Sequence, residues 1–280
     1  MSGKRLFSTC RVLRHENPLG LPRSGTPPSF PRRRGLPEKR KIRDVKKVVA
    51  VSSAKGGVGK STIAVNLALA FARRGIRTGI LDTDIFGPSI PTLLNLSGEP
   101  RLDENNLLLP LTNYNLKSIV SWGPLDILFL DLPPGTGDVQ LTINQEIVVD
   151  GAVIVTTPQD IALRDAVRGI GMFQKMHVPV LGMVRNMAFF QCPGCGQRTE
   201  IFSNGYGSHK AGDWGVQAEC RRLGVQFLGD VPLDARVCED ADRGVPSVVA
   251  EEGKVGVEGI RREAFLGIAE RVAREVGVKW

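Results

Sequence analysis

From Val48 onward the chain alternates short, continuously apolar runs rich in β-branched residues with longer stretches whose apolar positions recur at helical spacing. Val48 to Val51, Thr78 to Leu81, Ile127 to Leu130, Ala152 to Thr156 and Val180 to Val184 predict strands, with a weaker one at Gln226 to Gly229. Lys60 to Arg74 sets Ile63, Leu67, Ala70 and Phe71 on one helical face; further helices are predicted at Gly137 to Ile147, Asp160 to Met176 and Gly259 to Val276. Strands without polar alternation are buried on both faces, so the pattern predicts an α/β fold: a mostly parallel sheet covered by helices on both sides. Residues 45–280 read as one domain, with no internal repeat.

Upstream the pattern stops. Residues 1–44 contain six prolines, Ser2, Ser8, Ser24 and Ser29, and hold 12 of the 37 basic residues but only 3 of the 29 acidic ones. The net charge of +8 therefore belongs to this tail, and the remainder is close to neutral. A nucleic-acid partner is not expected for the folded part. The tail lacks the apolar stretch of a secretory signal, while Leu6, Phe7, Cys10 and Leu13 can form one helical face opposed by Arg5, Arg11 and Arg14. This composition predicts a mitochondrial transit peptide, with a basic arm that stays attached as the alternative. No apolar run approaches the roughly 18 to 20 residues that span a bilayer, so no transmembrane segment is expected. Five cysteines, an odd number, favour a reducing compartment.

Between the first strand and the first helix stands Ser53-Ala54-Lys55-Gly56-Gly57-Val58-Gly59-Lys60-Ser61-Thr62. Three glycines let the backbone amides turn inward as an anion nest at a helix amino terminus. Lys60 can reach the β- and γ-phosphates of a nucleotide, and Ser61 can offer its hydroxyl to Mg²⁺. The common pattern G-x-x-x-x-G-K-S/T wants Gly at Ala54. Lys55 is a second lysine in the turn, crowded against Lys60 unless a polyanion lies between them. Asp82 and Asp84 follow the second strand, and Asp131 ends the third, where a carboxylate holds Mg²⁺ through water. At the carboxyl ends of parallel strands all three would face the phosphates. Read singly, an Asp after a strand can also be a turn former or helix cap.

Cys192-Pro193-Gly194-Cys195 is a compact C-x-x-C turn that can present two thiolates to one metal. A tetrahedral site needs four, and Cys10, Cys220 and Cys238 form no second close pair; a symmetric homodimer would supply two plus two. Spacing alone allows zinc as well as an iron-sulfur cluster, or a structural pair. Cys220 and Cys238 read as small core residues.

Lys55 to Thr62, Leu81-Asp82-Thr83-Asp84-Ile85-Phe86-Gly87-Pro88 and Asp131-Leu132-Pro133-Pro134-Gly135-Thr136-Gly137-Asp138 together resemble the deviant-Walker P-loop ATPases. Gly151 to Leu163 and the block from Asn186-Met187 to Cys195 narrow the resemblance to the Mrp-type iron-sulfur carriers, in the mitochondrial nucleotide-binding-protein-like branch that assembles respiratory NADH dehydrogenase. The resemblance implies a MinD-like fold and a homodimer that sandwiches two ATP molecules. It implies that Lys55 acts across the dimer on the partner's phosphates and that Asp84 orients the attacking water. Gly56, Gly57, Val58, Gly59, Lys60, Ser61 and Thr62 would bind phosphates, Ser61 and Asp131 would serve Mg²⁺, and Asn186 would read the adenine. Cys192 and Cys195 would hold a [4Fe-4S] cluster bridging the dimer, for delivery to apoproteins of NADH dehydrogenase (complex I) in the mitochondrial matrix.

The chain departs from these relatives in one place. They carry a longer passage, including a helix, before the strand that ends at Asp131, whereas here Leu116 to Val120 runs almost directly into that strand. Parallel neighbours need a crossover of about a dozen residues. Either Leu116 to Val120 is not a parallel strand, or a strand-and-helix unit is missing at the Val120/Ser121 junction. Other functions compatible with the sequence are a MinD- or ParA-type positioning ATPase and a catalytically inactive nucleotide-binding scaffold.

Overall fold

Among the described residues ten strands and eight α-helices follow one another: β1 (Val48–Ser52), α1 (Lys60–Arg73), β2 (Thr78–Asp82), α2 (Ile90–Leu93), β3 (Leu111–Asn113), β4 (Leu116–Ser118), β5 (Ile127–Asp131), α3 (Asp138–Glu146), β6 (Gly151–Thr156), α4 (Asp160–Lys175), β7 (Val180–Arg185), β8 (Phe190–Gln191), β9 (Arg198–Thr199), α5 (Val216–Leu223), β10 (Phe227–Asp230), α6 (Ala235–Asp242), α7 (Ser247–Ala250) and α8 (Ile260–Val276). This computed structural model describes residues 39–84, 87–98, 111–114, 116–118, 124–135, 137–202 and 215–280, all within one unit, Pro37–Trp280. The tail features at Leu6 to Arg14, and Cys10 with them, lie outside the described residues.

Eight strands form one sheet in the order β10-β7-β6-β1-β5-β2-β4-β3, parallel throughout except for the β3/β4 edge hairpin. Side chains along a strand alternate between faces, and β1 serves both. Val49 and Val51 pack with α1 and α8, whereas Val48 and Ala50 pack with Leu163, Ala166, Ile170 and Phe173 of α4. This is the doubly covered α/β sheet that the apolar runs predict. On the first face Phe71 of α1 meets the Phe129 ring edge-on, with centroids 5.3 Å apart. Asn66 of α1 accepts the Val248 amide at 2.9 Å, which ties α7 to the same layer.

Two details differ from the sequence reading. Residues 39–44, assigned above to the tail, are engaged with the domain: the Arg40 amide donates to the Glu146 carbonyl at 2.7 Å, and Val148 donates back to Arg40 at 3.0 Å. Leu116–Ser118 does pair parallel with β2, Lys117 opposite Gly79, so it cannot be set aside as a non-parallel strand. Only eight residues separate it from β5, with β2 lying between the two.

Candidate functional site

The chain leaves β1 at Ser52, turns through 53–59 and enters α1 at Lys60. Gly57 (φ 78°) and Gly59 (φ 82°) both adopt left-handed backbone, which only glycine takes without strain. The Ser53 hydroxyl donates to the Lys55 carbonyl at 3.0 Å, and Gly135, after β5, donates to the Ser53 carbonyl at 2.9 Å. These bonds fix the loop beside a cavity of about 320 Å³ whose lining includes Gly56, Gly57, Gly59, Lys60, Ser61 and Thr62 together with Asp84 and Ser89. The structure therefore gathers most of the predicted phosphate residues, together with Asp84, around one cavity. Val58 is buried and contributes only its backbone behind the loop.

The charges are arranged differently from the sequence expectation. Lys60 is 7% exposed and Asp131 fully buried, and the Lys60 ammonium is in direct contact with the Asp131 carboxylate while also lying 3.2 Å from the Ser61 hydroxyl. Lys55 is exposed to water. The two lysines thus do not require a polyanion between them: one has a buried counter-charge and the other is solvated. Burial pushes the Asp131 carboxyl above its ordinary range, and the Lys60 ammonium opposes that shift. Asp131 Oδ1 faces Lys60, whereas its buried Oδ2 has no hydrogen-bond partner. An acceptor left over beside the Ser61 hydroxyl suits a hydrated divalent cation, so the residues present fit Mg²⁺.

Asp82 does not face the phosphate cavity. Its Oδ1 accepts the Asp84 amide at 3.0 Å, and its Oδ2 accepts those of Ser89 and Ile90 at 2.9 and 3.2 Å. It is a turn former and cap for α2, and it presents Asp84 to the cavity. Asn186, directly after β7, sits behind the loop with its side-chain amide donating to the Val58 carbonyl at 2.9 Å. No sequence signal announces this contact between residues 128 positions apart.

Cys192 and Cys195 lie at the tip of a small hairpin in which β8 and β9 pair antiparallel. Cys192 donates its amide to the Gln197 carbonyl and receives Gly196, both at 2.9 Å, closing the turn. Backbone amides of Cys195 and Gly194 hydrogen-bond the Cys192 sulfur and hold its thiol below the ordinary range. The hairpin is rooted in the sheet. Ala188 donates to Val231 at 2.9 Å and Leu233 to Phe189 at 2.8 Å, while the Arg198 guanidinium lies 3.4 Å from the Phe189 ring centroid. Cys195 is exposed, and among the described residues no group of three or more His, Cys, Asp or Glu side chains could enclose a metal. Cys220 is buried as expected, but Cys238 is exposed: α6 turns Asp240 inward instead, to the buried Arg261 at 2.8 Å.

A family model described as ParA, the NUBPL iron-transfer P-loop NTPase, matches residues 44–120 and 115–273. The chain belongs to this family. As a NUBPL-type P-loop NTPase it is 43% identical over 274 residues to the iron-sulfur cluster transfer protein NUBPL of Mus musculus, covering 87% of this chain and 82% of that one. It is 39% identical over 264 residues to the Arabidopsis thaliana iron-sulfur protein required for NADH dehydrogenase, mitochondrial, covering 84% and 80%. Among solved structures, the Archaeoglobus fulgidus nucleotide-binding protein in complex with ADP superposes with a TM-score of 0.64 at 36% identity, covering 72% of this chain and 88% of that one. The cell division ATPase MinD of Pyrococcus furiosus, at 18% identity and TM-score 0.61 over 82% and 99%, shares the fold.

The family match breaks in two around residues 115–120, where β4 gives way to its short connection. The alignment with the mouse NUBPL runs over 274 positions but draws on 87% of 280 residues. About 30 positions therefore face no residue of this chain, the length of a strand-helix-strand unit.

Proposed function

We propose that this NUBPL-type NTPase binds ATP in the loop cavity and carries a [4Fe-4S] cluster on Cys192 and Cys195 to apoproteins of respiratory NADH dehydrogenase in the mitochondrial matrix, acting as a homodimer after removal of a transit peptide. The observation that carries this reading is that one sheet presents both devices, the phosphate loop after β1 and the cysteine hairpin after β7. The names of the mouse and Arabidopsis relatives support the cargo and its destination.

The chain's own groups divide the work. The loop amides and Lys60 bind and neutralise phosphate oxygens, and Asp84 holds a water proton at the cavity wall. Ser61 and Asp131 would hold Mg²⁺, which when bound screens phosphate charge. Lys55, exposed to water, would reach a second subunit's phosphates. The hairpin holds the cluster by two thiolates per chain, so four ligands need two chains.

Anaerobic reconstitution with iron and sulfide tests the proposal. The expected result is visible absorbance and stoichiometric iron in a dimer; iron that persists in Cys192→Ala defeats the ligand assignment. A second reading rests on the eight-residue link between β4 and β5 and the broken family match: the chain lacks a crossover unit, retains nucleotide binding and loses hydrolysis. Sequencing the mature transcript across codons 120 and 121 checks it, because an uninterrupted junction there makes the shortened chain the natural product.

A further inference from the structure

Asn186 is 8% exposed and anchored on the sheet, its backbone amide donating to the Thr156 carbonyl at the end of β6 at 2.8 Å. From that fixed point its side-chain amide holds the Val58 carbonyl at 2.9 Å. The described chain has no cis peptide bond, so the 58–59 peptide is trans and the Gly59 N–H points opposite to the Val58 carbonyl. Gly59 lines the phosphate cavity and Asn186 does not. With the carbonyl held by Asn186, outside that lining, the Gly59 amide is directed away from Asn186.

The contact has no slack. A Cβ on Gly59 would lie 2.3 Å from Asn186 Nδ2, whereas Cβ atoms on Gly56 or Gly57 would meet nothing within 4 Å. Two of the loop's glycines thus border open space, and the third is backed by a buried amide. We infer that Asn186 is the positioning residue of the phosphate cradle, presetting the Gly59 amide toward an anion whatever base that anion carries. This rests on the nucleotide reading above and differs from the adenine-reading role that the family resemblance assigns. A donor fixed in direction before the ligand arrives needs no reorganisation on binding.

Calorimetry on the full chain with Mg-ATP, Mg-GTP and Mg-tripolyphosphate tests the inference. In Asn186→Ala all three affinities should fall together by about ten-fold, the worth of one or two lost hydrogen bonds. Asn186→Asp should fall further, since a carboxylate cannot donate to Val58 and repels phosphate. It keeps the native side-chain shape and carries the test if the alanine variant loses its cooperative melt. A loss confined to ATP would overturn the inference in favour of a base reader, as would unchanged affinities in both variants. Wild type that binds ATP but ignores tripolyphosphate would overturn it too, because a preset cradle needs no base. Wild type that binds none of the three would instead remove the nucleotide reading itself.

Discussion

The nucleotide cradle and the cysteine hairpin both grow from the carboxyl end of one sheet, yet they are built on opposite principles. The cradle takes its internal supports from one chain: Lys60 has its carboxylate, Gly59 its backing amide, and Asp82 fixes the turn that brings Asp84 into place. The hairpin offers two sulfurs at a surface turn with no third ligand beside them among the described residues, so on the proposed reading it is half of a site. A site completed within one chain works at any concentration. On the proposed reading the hairpin site is filled only when two chains meet, so cluster holding would depend on assembly while the first contact with nucleotide would not.

The strongest way to break this contrast is Lys60→Ala. It removes phosphate binding and also strands a fully buried carboxylate, so calorimetry should show no ATP binding and urea denaturation a loss of about 3 kcal/mol. If stability stays at the wild-type level, the internal charge pair does not matter as described. Cys192→Ala should do the reverse, reducing reconstituted iron to background while changing fold stability by only about 0.5 kcal/mol, as befits a half-buried side chain in a surface turn.

Thiol chemistry sharpens the contrast on a smaller scale. Hydrogen bonds from the Cys195 and Gly194 amides favour the Cys192 thiolate, whereas burial pushes the Cys220 thiol up to about 11. Timed alkylation at pH 8 read by peptide mass spectrometry should modify Cys192 first and Cys220 only as the protein unfolds. Equal rates would mean that the turn does not preset its ligand.

The smallest effect is expected away from both sites, at Asp126, which takes Arg77 Nε and Nη2 at 2.9 Å each and Lys46 at 2.8 Å. The Arg77 and then the Lys46 hydrogen bonds hold its carboxyl well below the usual range. A depressed pKa stabilises the fold above the unfolded value of about 4 and is lost as pH falls below it. Because the partners are largely exposed, Asp126→Asn should cost under about 1 kcal/mol at pH 7, and denaturant titrations should show the difference shrinking toward pH 2.

Much of this was legible in the chain because burial writes itself into composition. The five central strands are continuous apolar runs, and each appears within one residue of its predicted bounds. The β8/β9 hairpin was not legible, since two-residue strands have no periodicity, and its cysteines announced only a turn. Helices α5 and α6 are rich in charge and bury few side chains; α6 packs through the Asp240–Arg261 ion pair, which no hydrophobic pattern records. At the site, residue types and spacing revealed the loop. The partners of Lys60 and Val58 come from the end of β5 and from just past β7, 71 and 128 positions away, and such pairings belong to the fold.

The Lys60–Asp131 contact gives the resting domain an internal counterion. On the proposed reading, nucleotide binding would be an exchange of partners: Lys60 would give up the carboxylate for phosphate, and Asp131, once released, would need another cation. On that reading anion and metal would arrive and depart together, and a chelator that strips magnesium should expel the nucleotide by letting the old pair close again.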